Sequence, residues 1–150
     1  MGRECDLQSI CCLVIEYIIF HLKITGGGKQ DSIIAYCTVT SGKNPRYFFA
    51  KKNDIIIGPY FTKLEYRGKG IAGLLVQIVA LELETSWNNA YAYIWKTKIA
   101  SRRIMESIGG ELIMYVYNDK AHRLVESATG EYAVYRITRY RNGGCDGKSN

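Results

Sequence analysis

The sequence predicts an α/β (α+β) domain: a mixed, mainly antiparallel central sheet of six to seven strands with helices packed on it. Three observations carry that expectation. Period-two alternation and turn residues dominate before residue 64, helical spacing begins abruptly at Gly70, and strands then alternate with helices to the end. The 150 residues are 47% hydrophobic, enough for one domain whose core needs no metal or disulfide staple.

Ile18 to Thr25 alternates, with Phe20, Leu22 and Ile24 apolar between His21, Lys23 and Thr25, so it reads as a half-buried strand. Its lead-in stays open, with a helix as the one alternative. The run Gly26-Gly27-Gly28-Lys29 is a turn, Ser32 to Thr40 a second strand, and Ser41-Gly42-Lys43-Asn44-Pro45 a second turn. Arg46 to Lys51 reads as a third strand. Asp54 to Lys63 is a fourth, and its interior Gly58-Pro59 predicts a bulge or a strand edge, because proline cannot donate to a ladder. From Gly70 to Glu84, Ile71, Leu74, Leu75, Ile78 and Leu81 fall at helical spacing, with Val76, Val79, Ala80 and Leu83 making the helix largely apolar. Tyr91 to Trp95 is a fifth strand. Ala100 to Ile108 is a second helix, stopped by Gly109-Gly110. Leu112 to Tyr117 and Tyr132 to Ile137 complete the sheet around a polar loop, Asn118 to Gly130. Residues 1–140 are assigned to this domain and the Gly-rich 141–150 to a flexible tail.

Several function classes are excluded. No run of about 18 apolar residues could span a bilayer; the longest candidate, Ile10 to Phe20, carries Glu16. The start, Met1 to Asp6, lacks the Ser/Thr of a myristoylation signal and the basic flank of a signal peptide. Cys5, Cys11, Cys12, Cys37 and Cys145 make no metal-ligand or redox spacing, which predicts reduced thiols, no metal and a cytoplasmic location. The net charge of +6 asks for anionic company. No nucleic-acid-reading motif accompanies it, so neither nucleic acid nor membrane is expected as a partner.

One segment carries chemistry. Glu65-Tyr66-Arg67-Gly68-Lys69-Gly70-Ile71-Ala72-Gly73 joins a strand to the apolar helix. Helix N-termini present unpaired N–H groups and partial positive charge, and Gly68, Gly70 and Gly73 let a phosphate approach them. Arg67 and Lys69 add charge at the rim. The plainer reading is a helix start with glycines for tight packing. A dinucleotide fingerprint requires a carboxylate at the end of the next strand, where Ile94-Trp95-Lys96 has none. A P-loop lacks its Lys-Ser/Thr.

Tyr66-Arg67-Gly68-Lys69-Gly70-Ile71-Ala72 resembles the acetyl-CoA pyrophosphate loop of the GNAT superfamily of N-acyltransferases, whose pattern is Gln/Arg-x-x-Gly-x-Gly/Ala. Ser101 to Gly110 resembles the family's later helix. Together the two segments and the strand order cover about residues 31 to 137. The resemblance implies a sheet with helices on both faces, splayed at an acyl-CoA slot. It implies acetyl-CoA as co-substrate, with its pantetheine arm against Tyr60, Phe61 and Thr62 and its phosphates on Arg67, Gly68, Lys69, Gly70, Ile71, Ala72 and Gly73. Lys98 stands where the family has an asparagine, and Lys98 and Ser101 join the cofactor-binding set. Lys96, Arg102 and Arg103 could meet the outer phosphates or form a solvated helix start. Glu65 occupies the family's Gln/Arg position, and Met105 that of a tyrosine that protonates the departing thiolate.

Asp54 resembles in position a glutamate that some members use as a base, although a plain turn residue is the simpler account. Tyr60 is the second catalytic candidate, with Tyr91 and Tyr93 as further hydroxyls. His122 sits in the loop near the expected acceptor mouth, although an ordinary loop histidine is the simpler account. The function implied is transfer of an acetyl group from acetyl-CoA to a primary amine of a small molecule or peptide, homodimerisation being open. The alternative is a catalytically degenerate member serving as an acyl-CoA sensor or interaction protein, which Glu65, Lys98 and Met105 favour.

Overall fold

The computed structural model describes residues 6–14, 17–26, 29–82 and 87–138, with side chains over 32–79 and 87–138. The chain runs β1 (Asp6–Val14), β2 (Tyr17–Gly26), β3 (Lys29–Ser41), β4 (Ile55–Thr62), a 3-10 turn (Leu64–Tyr66) and α1 (Ile71–Glu82). It continues with β5 (Asn89–Trp95), α2 (Ile99–Ser107), β6 (Glu111–Asn118), β7 (Leu124–Glu126) and β8 (Tyr132–Thr138). One eight-stranded sheet results, ordered β1-β2-β3-β4-β5-β8-β6-β7. Every neighbouring pair is antiparallel except β4 and β5. The expected mixed, mainly antiparallel sheet with helices packed on it is what the structure shows.

Individual elements differ. The open lead-in is β1, paired with β2 from Asp6↔Thr25 to Val14↔Tyr17. The polar loop contains the short β7, added to β6 at Val116↔Glu126 and Asn118↔Leu124. The third expected strand does not form. Tyr47, Phe48 and Phe49 are strand formers, yet successive turns run through them, with Tyr47 N–H donating to the Asn44 carbonyl at 3.0 Å and Ala50 N–H to that of Tyr47 at 2.9 Å. Side chains favour the turns: Asn44 Oδ1 accepts from Arg46 N–H at 3.0 Å and Asp54 Oδ2 from Lys51 N–H at 2.8 Å. Such local side-chain bonds offer the backbone an alternative to a ladder.

Alternation along the strands sorts the core onto two faces. Ala90, Ala92 and Ile94 of β5 join Ala133 and Tyr135 of β8 on one face, under Leu75, Val76 and Val79 of α1 and Met105 of α2. Tyr91 and Tyr93 point the other way, with Ile56, Val116 and Val134. The small alanines admit the helices on the first face. On the second, Tyr47 and Phe49 lie on Tyr93 and Tyr91 at 5.9 and 5.3 Å between ring centres. Helices on both faces are therefore corrected: among the described residues both helices cover one face, and the aromatic turns of 44–50 take the place of a helix on the other.

Of the two readings of Gly58-Pro59, bulge or strand edge, the bulge is present. The β3–β4 register skips between Cys37↔Tyr60 and Val39↔Ile57, ejecting Gly58-Pro59, with Gly58 at φ 112°. Thr38 Oγ1 donates to the freed Pro59 carbonyl at 3.1 Å. On its other side β4 pairs with β5 only at Ile55↔Ala90 and Ile56↔Tyr91. Beyond Ile56 the two strands splay, and the smaller of the two cavities described below is lined by both of them.

Candidate active site

The larger cavity, about 970 Å³, lies between the open edge of β4, the turn into α1 and the start of α2. Eleven of the twelve residues expected to bind a cofactor line it: Tyr60, Phe61, Thr62, Arg67, Gly68, Gly70, Ile71, Ala72, Gly73, Lys98 and Ser101. The twelfth, Lys69, is outside the lining and sets its ammonium 5.4 Å from the centre of the Tyr66 ring.

The turn is shaped for an anion. Helix α1 makes its first bond from Leu74 N–H to the Gly70 carbonyl at 3.0 Å, so the N–H groups of Ile71, Ala72 and Gly73 have no partner within the helix. Gly68 and Gly70 adopt φ of 73° and 75°, the left-handed region that glycine enters without penalty. A Cβ built at Gly68, Gly70 or Gly73 would meet nothing within 4 Å. Tight packing therefore does not explain these glycines; open space in front of helical N–H groups does. Arg67 is held at the rim by its Nε–H, which donates to the Thr62 carbonyl at 2.9 Å, and its guanidinium lies 5.4 Å from the Phe61 ring centre. Thr62 Oγ1 is buried without a hydrogen-bond partner among the described residues, a polar atom at the wall that a ligand could satisfy. Glu65 is exposed and does not line the cavity. The residues present thus fit a phosphate-bearing ligand with an extended polar arm.

The basic cluster at α2 divides. Lys98 lines the cavity. Lys96 is spent over the Tyr115 ring at 4.0 Å, and Arg102 bonds the Tyr135 hydroxyl at 2.9 Å and the Lys96 carbonyl at 3.3 Å. Neither they nor Arg103 line the cavity, which corrects the idea that all four meet phosphates.

Tyr60 stands at the centre of the site. Its hydroxyl donates to the Ser101 carbonyl at 3.0 Å, and burial pushes its pKa upward, so it stays protonated at neutral pH. Asp54 is elsewhere. Only 2% exposed, it lines neither cavity. Its carboxylate accepts from Lys51 N–H at 2.8 Å, Asn89 N–H at 3.0 Å and Asn89 Nδ2 at 3.2 Å. It pins the turn segment to the start of β5, and the expected base role is corrected to a structural one.

A second cavity, about 330 Å³, adjoins the first through Tyr60, Lys98 and Ser101. Arg46, Tyr93, Trp95, Asn118 and Tyr132 supply its other functional groups, and its wall includes the Gly58-Pro59 bulge. Trp95 and Tyr132 are register partners with rings 4.3 Å apart. Arg46 Nη1 donates to the His122 carbonyl at 2.6 Å and Nη2 to Asn118 Oδ1 at 2.9 Å. His122 thus contributes its backbone here. Tyr91 lies under Phe49, away from the cavity, with its pKa raised by burial. His21, Cys11 and Cys12 lie outside the described side chains, and the tail 141–150 outside the described residues. No group of metal-ligating side chains occurs among the described residues. No helix there is long and apolar enough to cross a membrane.

No family model matches the sequence, and neither does any curated protein. Solved structures do. Over 84% of this chain and 71% of its own, the ribosomal-protein-S18-alanine N-acetyltransferase of Escherichia coli superposes with a TM-score of 0.56 at 14% identity. A Desulfovibrio desulfuricans protein assigned to the GNAT family of acetyltransferases gives 0.58 at 14% identity over 82% and 69% of the two chains. The Salmonella typhimurium protein yncA, solved with its cofactor acetyl-CoA, gives 0.60 at 13% identity over 87% and 69%.

The chain has the GNAT acetyltransferase fold. Its departures at the GNAT motif positions can now be placed. Met105 is fully buried in the core, so no proton donor comes from that position. The N-terminal described segment forms the β1–β2 hairpin at one edge of the sheet. The GNAT motifs carry no trace of Arg46, Trp95, Asn118 and Tyr132, because these reach the second cavity from four separate segments. The legible hint was the alternation of Tyr91, Tyr93 and Trp95 with the aliphatic Ala92 and Ile94, which puts three aromatics on one face of β5.

Proposed function

We propose that the chain is an N-acetyltransferase that moves an acetyl group from acetyl-CoA to a primary amine by direct transfer. One observation carries this reading: the open edge of β4 leads, along a single cavity, into the unpaired N–H groups at the start of α1. That is the shape of an extended arm ending in phosphates. Gly68 to Gly73 and Arg67 bind the phosphates, the edge of Tyr60 to Thr62 lies along the arm, and Lys98 and Ser101 close the far side. Acetyl-CoA supplies an acyl thioester; the amine nitrogen bonds to the acyl carbon, the C–S bond breaks, and the amine proton leaves to solvent as the thiolate is protonated.

The protein's part is to hold, orient and exclude water. Tyr60 donates to Ser101 and so keeps its oxygen lone pairs for an incoming amine N–H. Neither cavity is lined by a carboxylate or an imidazole. Instead Arg46 and Lys98 disfavour a third positive charge near them, which lowers the pKa of a bound ammonium. Thiol release should therefore rise with pH until the bound amine is deprotonated, without the acid limb that a titrating carboxylate base would add.

Calorimetric titration with acetyl-CoA, beside CoA and NAD, tests the binding half. Micromolar affinity for acetyl-CoA with NAD silent supports it, and absence of binding refutes it. A second reading rests on the burial of Met105: binding without thiol release across a broad amine panel would make the chain an acyl-CoA sensor.

A further inference from the structure

The smaller cavity has an unusual charge balance. Two cations, Arg46 and Lys98, belong to its lining, and no Asp, Glu or His does. Arg46 is half-buried, and its two bonded partners, the His122 carbonyl and Asn118 Oδ1, are neutral. Neither Arg46 nor Lys98 forms an ion pair among the described residues. A cation taken partly out of water and left without a counter-charge costs free energy, whereas one supplied with an anion in forked geometry gains a strong, oriented bond. The two hydrogen bonds fix the guanidinium plane, so Arg46 is an oriented donor rather than a mobile surface charge. In the same lining Trp95 is 45% exposed although its ring lies 4.3 Å from that of Tyr132, tilted by 40°. An exposed aromatic in one cavity with a fixed guanidinium suits a ring or flat body with an anionic substituent.

We infer that this cavity is the acceptor subsite and that it takes an amine carrying an anionic oxygen group, a carboxylate or a phosphate. Arg46 receives that group, the body of the acceptor lies on Trp95 and Tyr132, and the amine reaches Tyr60 at the wall shared with the larger cavity. The inference rests on the acetyltransferase reading. A polyamine or other purely cationic acceptor finds no carboxylate in the lining to receive it.

The test uses matched pairs: phenylalanine against phenylalaninamide, and glucosamine 6-phosphate against glucosamine, with spermidine as the cationic case. Binding is followed by Trp95 fluorescence, and turnover by thiol release at saturating acetyl-CoA. Trp95→Phe identifies the signal, since the chain's other tryptophan, Trp87, is 5% exposed. In at least one pair the anionic member should bind 10-fold or more tightly than its neutral partner, and which pair responds tells carboxylate from phosphate. Arg46→Gln should shrink that preference below threefold and leave calorimetric affinity for acetyl-CoA unchanged. Should Arg46→Gln fail to fold, the wild-type preference must instead weaken steeply with added salt. Equal or tighter binding of the neutral members or of spermidine overturns the inference, as does the absence of any response to both anionic members while acetyl-CoA binds. Failure of acetyl-CoA itself to bind overturns the transferase reading, and the fluorescence titration then still decides whether the cavity selects anions.

Discussion

The Tyr60 hydroxyl donates to the Ser101 carbonyl at 3.0 Å across the splay of β4 and β5, and both residues line both cavities. This one bond links the strand that ends the sheet's continuous half to the helix that follows β5. It makes Tyr60 the only side-chain hydroxyl that belongs to the two cavity linings at once, among the described residues, apart from that of Ser101 itself.

Tyr60→Phe removes the hydroxyl and keeps the ring. A purely structural bond would cost about 1 kcal/mol of stability and leave turnover alone. With Tyr60 receiving the amine, kcat should fall 10-fold or more while the acetyl-CoA dissociation constant changes less than twofold. Steady-state thiol release combined with calorimetry separates the two outcomes.

Two glycines of the turn should respond with opposite signs in stability. Gly73→Ala replaces glycine in the first turn of α1 and meets open space, so it should raise stability by about 0.5–1 kcal/mol. Gly70→Asp imposes a side chain on a φ of 75° and should cost about 1–2 kcal/mol. Both fill the space before the helical N–H groups, and both should weaken acetyl-CoA binding, Gly70→Asp to the point of abolishing it. Thermal melts beside titrations check this; unimpaired binding by Gly70→Asp would mean that the phosphates lie elsewhere.

Asp54→Ala strands three donors, Lys51 N–H, Asn89 N–H and Asn89 Nδ2, and should cost about 2–4 kcal/mol. Because Asp54 is a staple and not a base, Asp54→Asn should keep the wild-type pH dependence of kcat/KM. A lost ionisation in that profile would restore the base role.

What the sequence made legible was local. Gly68-x-Gly70 announced its own conformation, since two left-handed residues before a helix demand glycine, and Gly58-Pro59 announced a break in the ladder, bulge or edge, because proline cannot donate to it. The periodicity of α1 correctly implied burial, although Leu74, inside the apolar stripe, is 44% exposed and lines the larger cavity. What stayed hidden was tertiary. Tyr47 to Phe49 has strand composition, and only the competing bonds of Asn44 and Asp54, one of them reaching to Asn89, turn it into cover for a sheet face. Arg46 becomes a site residue only when the loop carrying Asn118 and His122 folds back beside it, 72 and 76 residues along the chain.

Alkaline stability offers a test of the core beneath the site. Cys37, paired with Tyr60 across β3 and β4, is fully buried, and burial pushes its thiol from 9.0 up to about 12. Unfolding returns it to its ordinary value. Between pH 9 and 12 the unfolded chain has therefore released a proton that the folded one keeps, so fewer protons are bound in the unfolded state and stability falls as pH rises. The slope is about 1.4 kcal/mol per pH unit for this group, absent below pH 9. Tyr60, Tyr91 and Tyr135, raised chiefly by burial, act with the same sign but only above pH 10. The interval from pH 9 to 10 thus isolates the thiol. Cys37→Ala should lower Tm at pH 8 through the small cavity it leaves, yet lose less Tm than the wild type between pH 9 and 10. The other four cysteines are common to both proteins and cancel in that difference. Parallel Tm-versus-pH curves would show that Cys37 ionises as easily in the folded chain as in the unfolded one, and that the β3–β4 core below Tyr60 is open to water.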